Sequence, residues 1–160
     1  EAGTLQRLDD DQTGGNKERM GTFSVAVEIG ATSGGGFAQV EALVDTGATY
    51  TVLSSDVLVR LNIQAIETVS FESADDRIVE YEVGEARVRL DGRERTTLVV
   101  FGPEATGPLL GATTLQLFNL AVDTTRERLV PVPALLKQLS QKVNHLAARL
   151  EQMEGLGAPR

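Results

Sequence analysis

The tripeptide Asp45-Thr46-Gly47 is the part of the chain whose residue types and order could support catalysis. It follows an apolar run, residues 42–44, and a carboxylate placed there is costly to bury unless another group satisfies it or a reaction uses it. Gly47 permits a sharp turn and a close backbone approach to a ligand, and Thr46 places a hydroxyl beside the carboxylate. Asp45 is therefore the candidate catalytic residue. The same tripeptide also fits a plain turn in which Asp45 accepts backbone N–H bonds.

A second element strengthens the catalytic interpretation. The sequence Pro108-Leu109-Leu110-Gly111 places two apolar residues and a glycine at the start of a predicted short helix. With this pair of motifs at this separation, residues 22–133 resemble the retropepsin-like aspartic proteases, in which an apolar Asp-Thr-Gly-Ala loop is followed by an apolar-apolar-Gly element. The resemblance implies an all-β fold, a closed retropepsin-like β-barrel or acid-protease half-domain, with one or two short helices.

The resemblance also implies a function, that of an aspartic endopeptidase acting on peptide or protein substrates. Pepsin-like chains carry two Asp-Thr-Gly loops and this chain carries one, so the enzyme would be a homodimer with one Asp45 from each subunit. The pair would activate water without a cofactor or metal, supported by Thr46 and Gly47. The expected substrate contacts are Gly47, Ala48, Thr49, Ser73, Ala74, Asp75, Asp76 and Leu110.

Two departures from the retroviral pattern stand out. Thr49 and Ala112 occupy places where the viral enzymes usually have an acid and an arginine, so both partners of that ion pair are missing. In this respect the chain resembles the single-domain retropepsin-like proteins of bacteria and archaea, and we expect a differently built dimer interface. The segment 72–77, in the place of the family's flap, has no glycine; both a flap and an ordinary solvated hairpin tip fit it.

Composition excludes several other chemistries. The 160 residues include no cysteine and one histidine, His145, which lies near the C-terminal end. Thiol catalysis, disulfides, zinc–thiolate sites and a Ser-His-Asp triad in the main domain are thereby excluded. Residues 21–133 carry 16 acidic side chains, 8 arginines and no lysine, so nucleic acid and anionic membranes are not expected partners. No apolar run approaches the length of a membrane span.

Alternating apolar and polar residues predict the strands that position the candidate loop. The expected strands are 23–29, 37–44, 50–53, 63–71, 78–83, 85–90, 93–101, 120–123 and 128–132. Asp91-Gly92 predicts a two-residue type I′ turn. Short helices are expected over 54–62, with an N-cap among Ser54 to Asp56, and over 113–118.

The chain divides into three predicted regions: a flexible N-terminal tail (1–20), a protease domain (21–133) and a C-terminal amphipathic helix with its tail (134–160). From Leu136 to Met153 the apolar residues follow the alternating three- and four-residue spacing of a short coiled coil. Two interpretations of this helix are open. It could join two copies of the chain, or it could fold back on its own domain.

Two rival functions also fit the sequence. A catalytically silent retropepsin-like domain could serve as a dimerisation or peptide-binding module. An unrelated β-domain could carry the Asp-Thr-Gly tripeptide by chance. The first rival differs from the protease in activity alone, whereas the second differs in fold.

Overall fold

The computed structural model describes residues 22–134 and 138–154. Strands predominate, which confirms the all-β fold class. The strands are Ser24–Ala31 (β1), Phe37–Val44 (β2), Thr51–Ser54 (β3), Ala65–Glu72 (β4), Ile78–Leu90 (β5), Arg93–Gly102 (β6), Leu109–Leu110 (β7), Leu120–Asp123 (β8) and Arg128–Pro131 (β9). The helices are Ser55–Arg60 (α1), Ala112–Leu117 (α2) and Gln138–Glu154 (α3).

One seven-stranded sheet closes on itself. Its strand order is β1-β2-β7-β3-β6-β5-β4. An additional pairing of β1 with β5 closes the first six of these strands into a ring, and β4 lies outside the ring on the edge of β5. Most neighbours are antiparallel, but β7 runs parallel to β2 and β3 runs parallel to β6. These parallel pairings place the end of β2, where Asp45 follows, beside β7. Strands β8 and β9 form a separate two-stranded sheet.

The core inside the ring is mainly aliphatic, as a sequence with few aromatic residues requires. The fully buried side chains include Ile29, Leu53, Val88, Leu110 and Phe118, of which Phe118 is the largest. Removing a side chain of this size from water contributes about 1.5–3 kcal/mol. Because these residues come from five different parts of the chain, the ring and the segment after α2 form one core.

Strand β5 differs from its prediction. The sequence predicted two strands, 78–83 and 85–90, whereas the structure has one continuous strand that pairs first with β4 and then with β6 and β1. Gly84 lies where the partners change, and a Cβ there would lie 2.5 Å from the carbonyl oxygen of Gln64. The glycine therefore serves a close approach of two backbones, and the predicted interruption is wrong.

The remaining predicted strands begin and end within two residues of the observed ones, while the two-residue strand β7 was not predicted. Asp91 and Gly92 both have positive φ, at 52° and 70°, which confirms the expected backbone of the β5–β6 turn. Ser54 is the N-cap of α1, but its side chain makes no capping hydrogen bond. Asn62, at a φ of 58°, follows the helix in the left-handed conformation.

The C-terminal helix is present as α3. Four large apolar side chains of α3 are 57–69% exposed: Val143, Leu146, Leu150 and Met153. A helix folded back on its own domain would have these side chains covered, and the described chain leaves them uncovered. None of the described helices is long and apolar enough to span a membrane. The predicted N-terminal tail, 1–20, and the predicted helix residues 135–137 lie outside the described residues.

Candidate active site

Asp45 is the first residue after β2 and is half-buried. Its backbone N–H donates to the carbonyl oxygen of Leu110 at 3.0 Å, and its own carbonyl accepts the N–H of Ala48 at 3.2 Å. The Oδ1 atom accepts the N–H of Gly47 at 2.9 Å, as the plain-turn interpretation also required. Within residues 22–134 and 138–154, Oδ2 has no hydrogen-bond partner. One carboxylate oxygen is therefore fixed, and the other is available to a reactant.

The Asp-Thr-Gly loop, defined here as residues 45–50, is clamped by the chain around Gly111. The N–H of Ala112 donates to the carbonyl of Ala48 at 2.8 Å, and the N–H of Thr113 donates to the carbonyl of Thr49 at 3.0 Å. A Cβ on Gly111 would lie 2.4 Å from the carbonyl carbon and oxygen of Tyr50. Backbone hydrogen bonds and the close contact at Gly111 thus hold the loop. They act around Thr49 and Ala112, the two positions at which the ion pair is missing.

Three buried threonines below the loop were not predicted as part of the site. The Oγ1 of Thr114 lies 2.7 Å from that of Thr51 and 3.2 Å from that of Thr97. The N–H of Gly111 donates to the Thr51 hydroxyl at 3.1 Å. This network joins β3, β6 and α2 and leaves the three hydroxyls satisfied. A threonine within a strand or a short helix has no distinguishing sequence signal, so only the fold could show these contacts.

A cleft of about 520 Å³ opens beside the loop. One wall is the β4–β5 hairpin and the opposite wall is the segment after β6. It is lined by Gly47, Ala48, Thr49, Tyr50, Val52, Val69, Ser70, Phe71, Glu72, Ser73, Val79, Tyr81, Val100, Gly102, Pro103 and Thr106. The lining is mainly apolar, as is usual for ligand-binding clefts.

Aromatic side chains form one end of this cleft. The Phe71 ring lies 6.0 Å from that of Tyr50, edge to face, and 6.1 Å from that of Tyr81. Strand register explains the cluster, because Val69 pairs with Tyr81 and Phe71 pairs with Val79, so all four project from one face of the hairpin. The period-two pattern of both strands indicates that these residues share a face, but alternation alone does not show which other element that face lies against.

The predicted substrate contacts divide into two groups. Gly47, Ala48, Thr49 and Ser73 line the cleft. Ala74, Asp75 and Asp76 are exposed at the hairpin tip and are not part of the lining, and the Leu110 side chain is fully buried. Leu110 contacts the loop through its carbonyl oxygen. The side chain of Thr46 is exposed on the open side of the loop.

The hairpin tip forms an ordered turn without glycine. Asp76 adopts the left-handed conformation at a φ of 60°, and the N–H of Ser73 donates to the carbonyl of Arg77 at 2.8 Å. The Ser73 hydroxyl lies 2.5 Å from Asp75 Oδ1, and Arg77 Nε lies 2.6 Å from Asp75 Oδ2. The hydrogen bond from Ser73, with help from Arg77, holds the pKa of Asp75 below its usual value.

A second concavity, of about 690 Å³, adjoins the other side of Asp45. It is lined by Thr22, Val44, Asp45, Thr46, Ala112, Leu115, Gln116, Leu120, Ala121, Val122 and Thr124. Asp45 and Thr46 thus line the open surface beside α2 and β8, whereas the lining of the cleft begins two residues after Asp45, at Gly47. Across the described ranges, no three His, Cys, Asp or Glu residues are grouped to hold a metal ion.

A closed β-sheet carrying an Asp-Thr-Gly loop above an apolar-apolar-Gly element defines a domain of the aspartic protease class. A sequence model of the gag-polyprotein putative aspartyl protease family matches residues 34–117, just over half of the chain. The match includes the Asp-Thr-Gly loop and Gly111. The chain belongs to this family, and the predicted retropepsin-like membership is confirmed.

Solved structures similar to the chain include three proteases or protease-like domains. The EIAV protease complexed with the inhibitor HBY-793 is 24% identical, with 63% of this chain and 89% of that chain covered and a TM-score of 0.45. The retropepsin-like aspartic protease from Rickettsia conorii is 21% identical (66% and 87% covered, TM-score 0.43). The retroviral protease-like domain of Ddi1 from Leishmania major is 16% identical (72% and 96% covered, TM-score 0.43). None of the curated proteins compared with the chain matches it.

Proposed function

We propose that the protein is an aspartic endopeptidase that acts as a homodimer, with one Asp45 from each subunit in a shared active site. The observation that carries the proposal is the position of Asp45, which lines an open surface and lies two residues before Gly47, where the lining of the apolar cleft begins. Its family is one of aspartyl proteases. Because each chain supplies one Asp-Thr-Gly loop, the second carboxylate must come from another copy placed against that open surface.

The chemistry follows from two carboxyl groups held close together. Like charges at short distance do not both ionise readily, so the pair shares one proton and titrates as a unit. The ionised member acts as general base on a water molecule that attacks the peptide carbonyl, and the protonated member donates to the developing oxyanion. In each subunit the Gly47 N–H holds Oδ1, so that Oδ2 can take part in this reaction.

The exposed Thr46 belongs to the same proposal. Its hydroxyl stands beside Asp45 on the side where the second copy would lie. Hydrogen bonding between the two Thr46 residues, or from each to the partner's loop, would fix the separation of the two carboxylates. A rigid separation matters because an error of about 1 Å at the reacting atoms can cost about 100-fold in rate.

The substrate is an extended peptide lying between the Asp-Thr-Gly loop and the β4–β5 hairpin. The Thr49 N–H can pair with one side of the peptide, because the Ala48 N–H and both carbonyls already have hydrogen-bond partners in the described chain. Tyr50, Phe71 and Tyr81 form an apolar surface for a large side chain. Backbone pairing of this kind gives affinity, and the side-chain pockets give specificity. The hairpin acts as the flap, and its movement toward the loop would bring Ala74, Asp75 and Asp76 to the substrate.

The test is cleavage of a mixed peptide library between about pH 4 and 7 by wild type, Asp45→Asn and Asp91→Asn. Asp91 is a matched control, because it is an exposed aspartate in a turn conformation that asparagine also adopts. Wild type and Asp91→Asn should cleave, with inhibition by a statine-type transition-state mimic. Asp45→Asn should lose at least about 10²–10⁴-fold in rate.

Two results would contradict the proposal. Equal cleavage by Asp45→Asn would show that another group performs the chemistry. No cleavage by the wild type, together with a stable dimer in light scattering, would favour the silent peptide-binding module. A shift in the preferred side chain after Phe71→Ala, with cleavage retained, would locate the apolar part of the cleft as the specificity pocket.

A further inference from the structure

Helix α3 exposes an apolar seam that the described chain leaves uncovered. The seam consists of Val143, Leu146, Leu150 and Met153, each more than half exposed. We propose that α3 pairs with α3 of a second copy as a parallel, in-register, two-stranded coiled coil. The role of this pairing in activity rests on the proposed homodimeric function. The pairing itself is inferred from the sequence and exposure of the helix.

The seam has the spacing and residue types of a dimeric coiled coil. Its members are separated by three, four and three positions, so Val143 and Leu150 fall at heptad position a and Leu146 and Met153 at position d. A β-branched residue at a with leucine at d, as in Val143 and Leu146, favours two parallel strands. The seam therefore fits a second copy of itself.

Charges beside the seam favour the parallel orientation. Arg149 occupies position g and Glu154 occupies the e position that follows. In a parallel, in-register pair each g residue faces the e residue five positions later on the partner helix, so Arg149 faces Glu154 in both directions. In an antiparallel pair g faces g, and Arg149 loses this partner. Such charges at the edge of the seam select orientation more than they add affinity.

The connection to the domain is compatible with the same orientation. Six residues, 132–137, separate the end of β9 from the start of α3, and at full extension they reach about 20 Å. Strand β8, paired with β9, lines the same concavity as Asp45. A two-fold axis that joins two Asp45 residues therefore also brings the two β8–β9 sheets together.

One symmetry axis must serve both the active site and the helices. The two-fold axis of a parallel coiled coil runs along its length, so both copies of α3 can begin beside the axis and near their β9 strands. An antiparallel pair has its axis across the helices and separates their first residues by about 25 Å, the length of a 17-residue helix. Two connections of about 20 Å each can span either arrangement, so the connection permits the parallel pair, and the charges beside the seam select it.

The expected effect is a higher local concentration of the second active-site half. A seam of this length is marginal as an isolated structure, so its pairing adds to contacts between the domains. The parallel register makes a sharp test possible, because the chain contains no cysteine. One introduced cysteine then reports on one position of α3 in the 160-residue chain.

The experiment compares single cysteines at Val143, Met153 and Ala148 in an Asp45→Asn background, which removes any proteolysis. Val143 and Met153 lie near the two ends of the described seam, and Ala148 occupies position f on the opposite face. After mild oxidation, Val143→Cys and Met153→Cys should each form covalent dimers at least about tenfold faster than Ala148→Cys, since a disulfide needs Cα atoms within about 7 Å.

Two outcomes would overturn the inference. Rates no higher than that of Ala148→Cys, for each variant alone and for the two mixed, would show that α3 does not pair with itself. Slow cross-linking of each variant alone, with fast cross-linking when Val143→Cys and Met153→Cys chains are mixed, would show an antiparallel pair, in which position a of one helix faces position d of the other. Both outcomes are distinguishable from failure of the proposed function, because cross-linking is read without activity and peptide cleavage is read with the cysteine-free protein.

Discussion

Gly111→Ala provides a stringent test of how the Asp-Thr-Gly loop is held. A Cβ at this position would lie 2.4 Å from the carbonyl carbon and oxygen of Tyr50 and 2.8 Å from the backbone N of Thr51. Ordinary carbon contacts are about 3.5–4.0 Å, so one of the two backbone segments must move by about 1 Å. Overpacking of this kind costs about 1–3 kcal/mol, or a fall of several degrees in Tm.

Gly111→Ala should lower the kcat/KM of the protein that remains folded, in addition to lowering the Tm, because Tyr50 closes the loop that carries Asp45. A displacement of about 1 Å at reacting groups can cost about 100-fold in kcat/KM. Thermal denaturation followed by circular dichroism measures the stability, and peptide cleavage well below the Tm measures the activity of the folded protein.

Two glycines provide matched controls for Gly111→Ala. A Cβ on Gly107 meets nothing within 4 Å, so Gly107→Ala should leave both stability and activity close to wild type. A Cβ on Gly84 would lie 2.5 Å from the carbonyl oxygen of Gln64, away from Asp45; Gly84→Ala should destabilise the fold and spare the activity of the folded protein. Wild-type stability and cleavage in Gly111→Ala would refute this account of the loop.

Three further predictions follow from the site and its surroundings. Thr114→Val should cost about 1–3 kcal/mol in urea denaturation, because it leaves the buried Thr97 hydroxyl without its partner; an unchanged midpoint would contradict the network. Equal amounts of wild-type and Asp45→Asn chains, after subunit exchange, should show half the activity per wild-type chain, whereas undiminished activity would mean that one chain suffices. The N–H of Arg126, followed by the guanidinium groups of Arg126 and Arg128, holds the pKa of Asp123 below its usual value. A depressed folded-state pKa contributes stability above the unfolded-state pKa and loses it as the pH falls through the folded-state value, so Asp123→Asn should lower the Tm at neutral pH and leave it unchanged near pH 2; an NMR titration midpoint at the ordinary aspartate value would contradict the shift.

The strand pattern was largely predictable because alternation is a local property. Asp91-Gly92 is the clearest case, since the turn needs two residues that tolerate positive φ and the sequence supplies them. Gly84 was misinterpreted because a glycine within a strand pattern fits an interruption and a close backbone approach equally well. The carbonyl of Gln64, which decides between them, comes from a neighbouring segment of the chain.

From the sequence alone, the motif residues, the excluded chemistries and the apolar seam of the C-terminal helix could be identified, because each depends on residue type and spacing along the chain. The tertiary structure alone decided that Thr51, Thr97 and Thr114 join below the loop, and that Phe71 and Tyr81 face the cleft while the side chain of Leu110 is buried. These features depend on strand pairing across the closed sheet, where residues distant in sequence come within hydrogen-bonding or van der Waals distance.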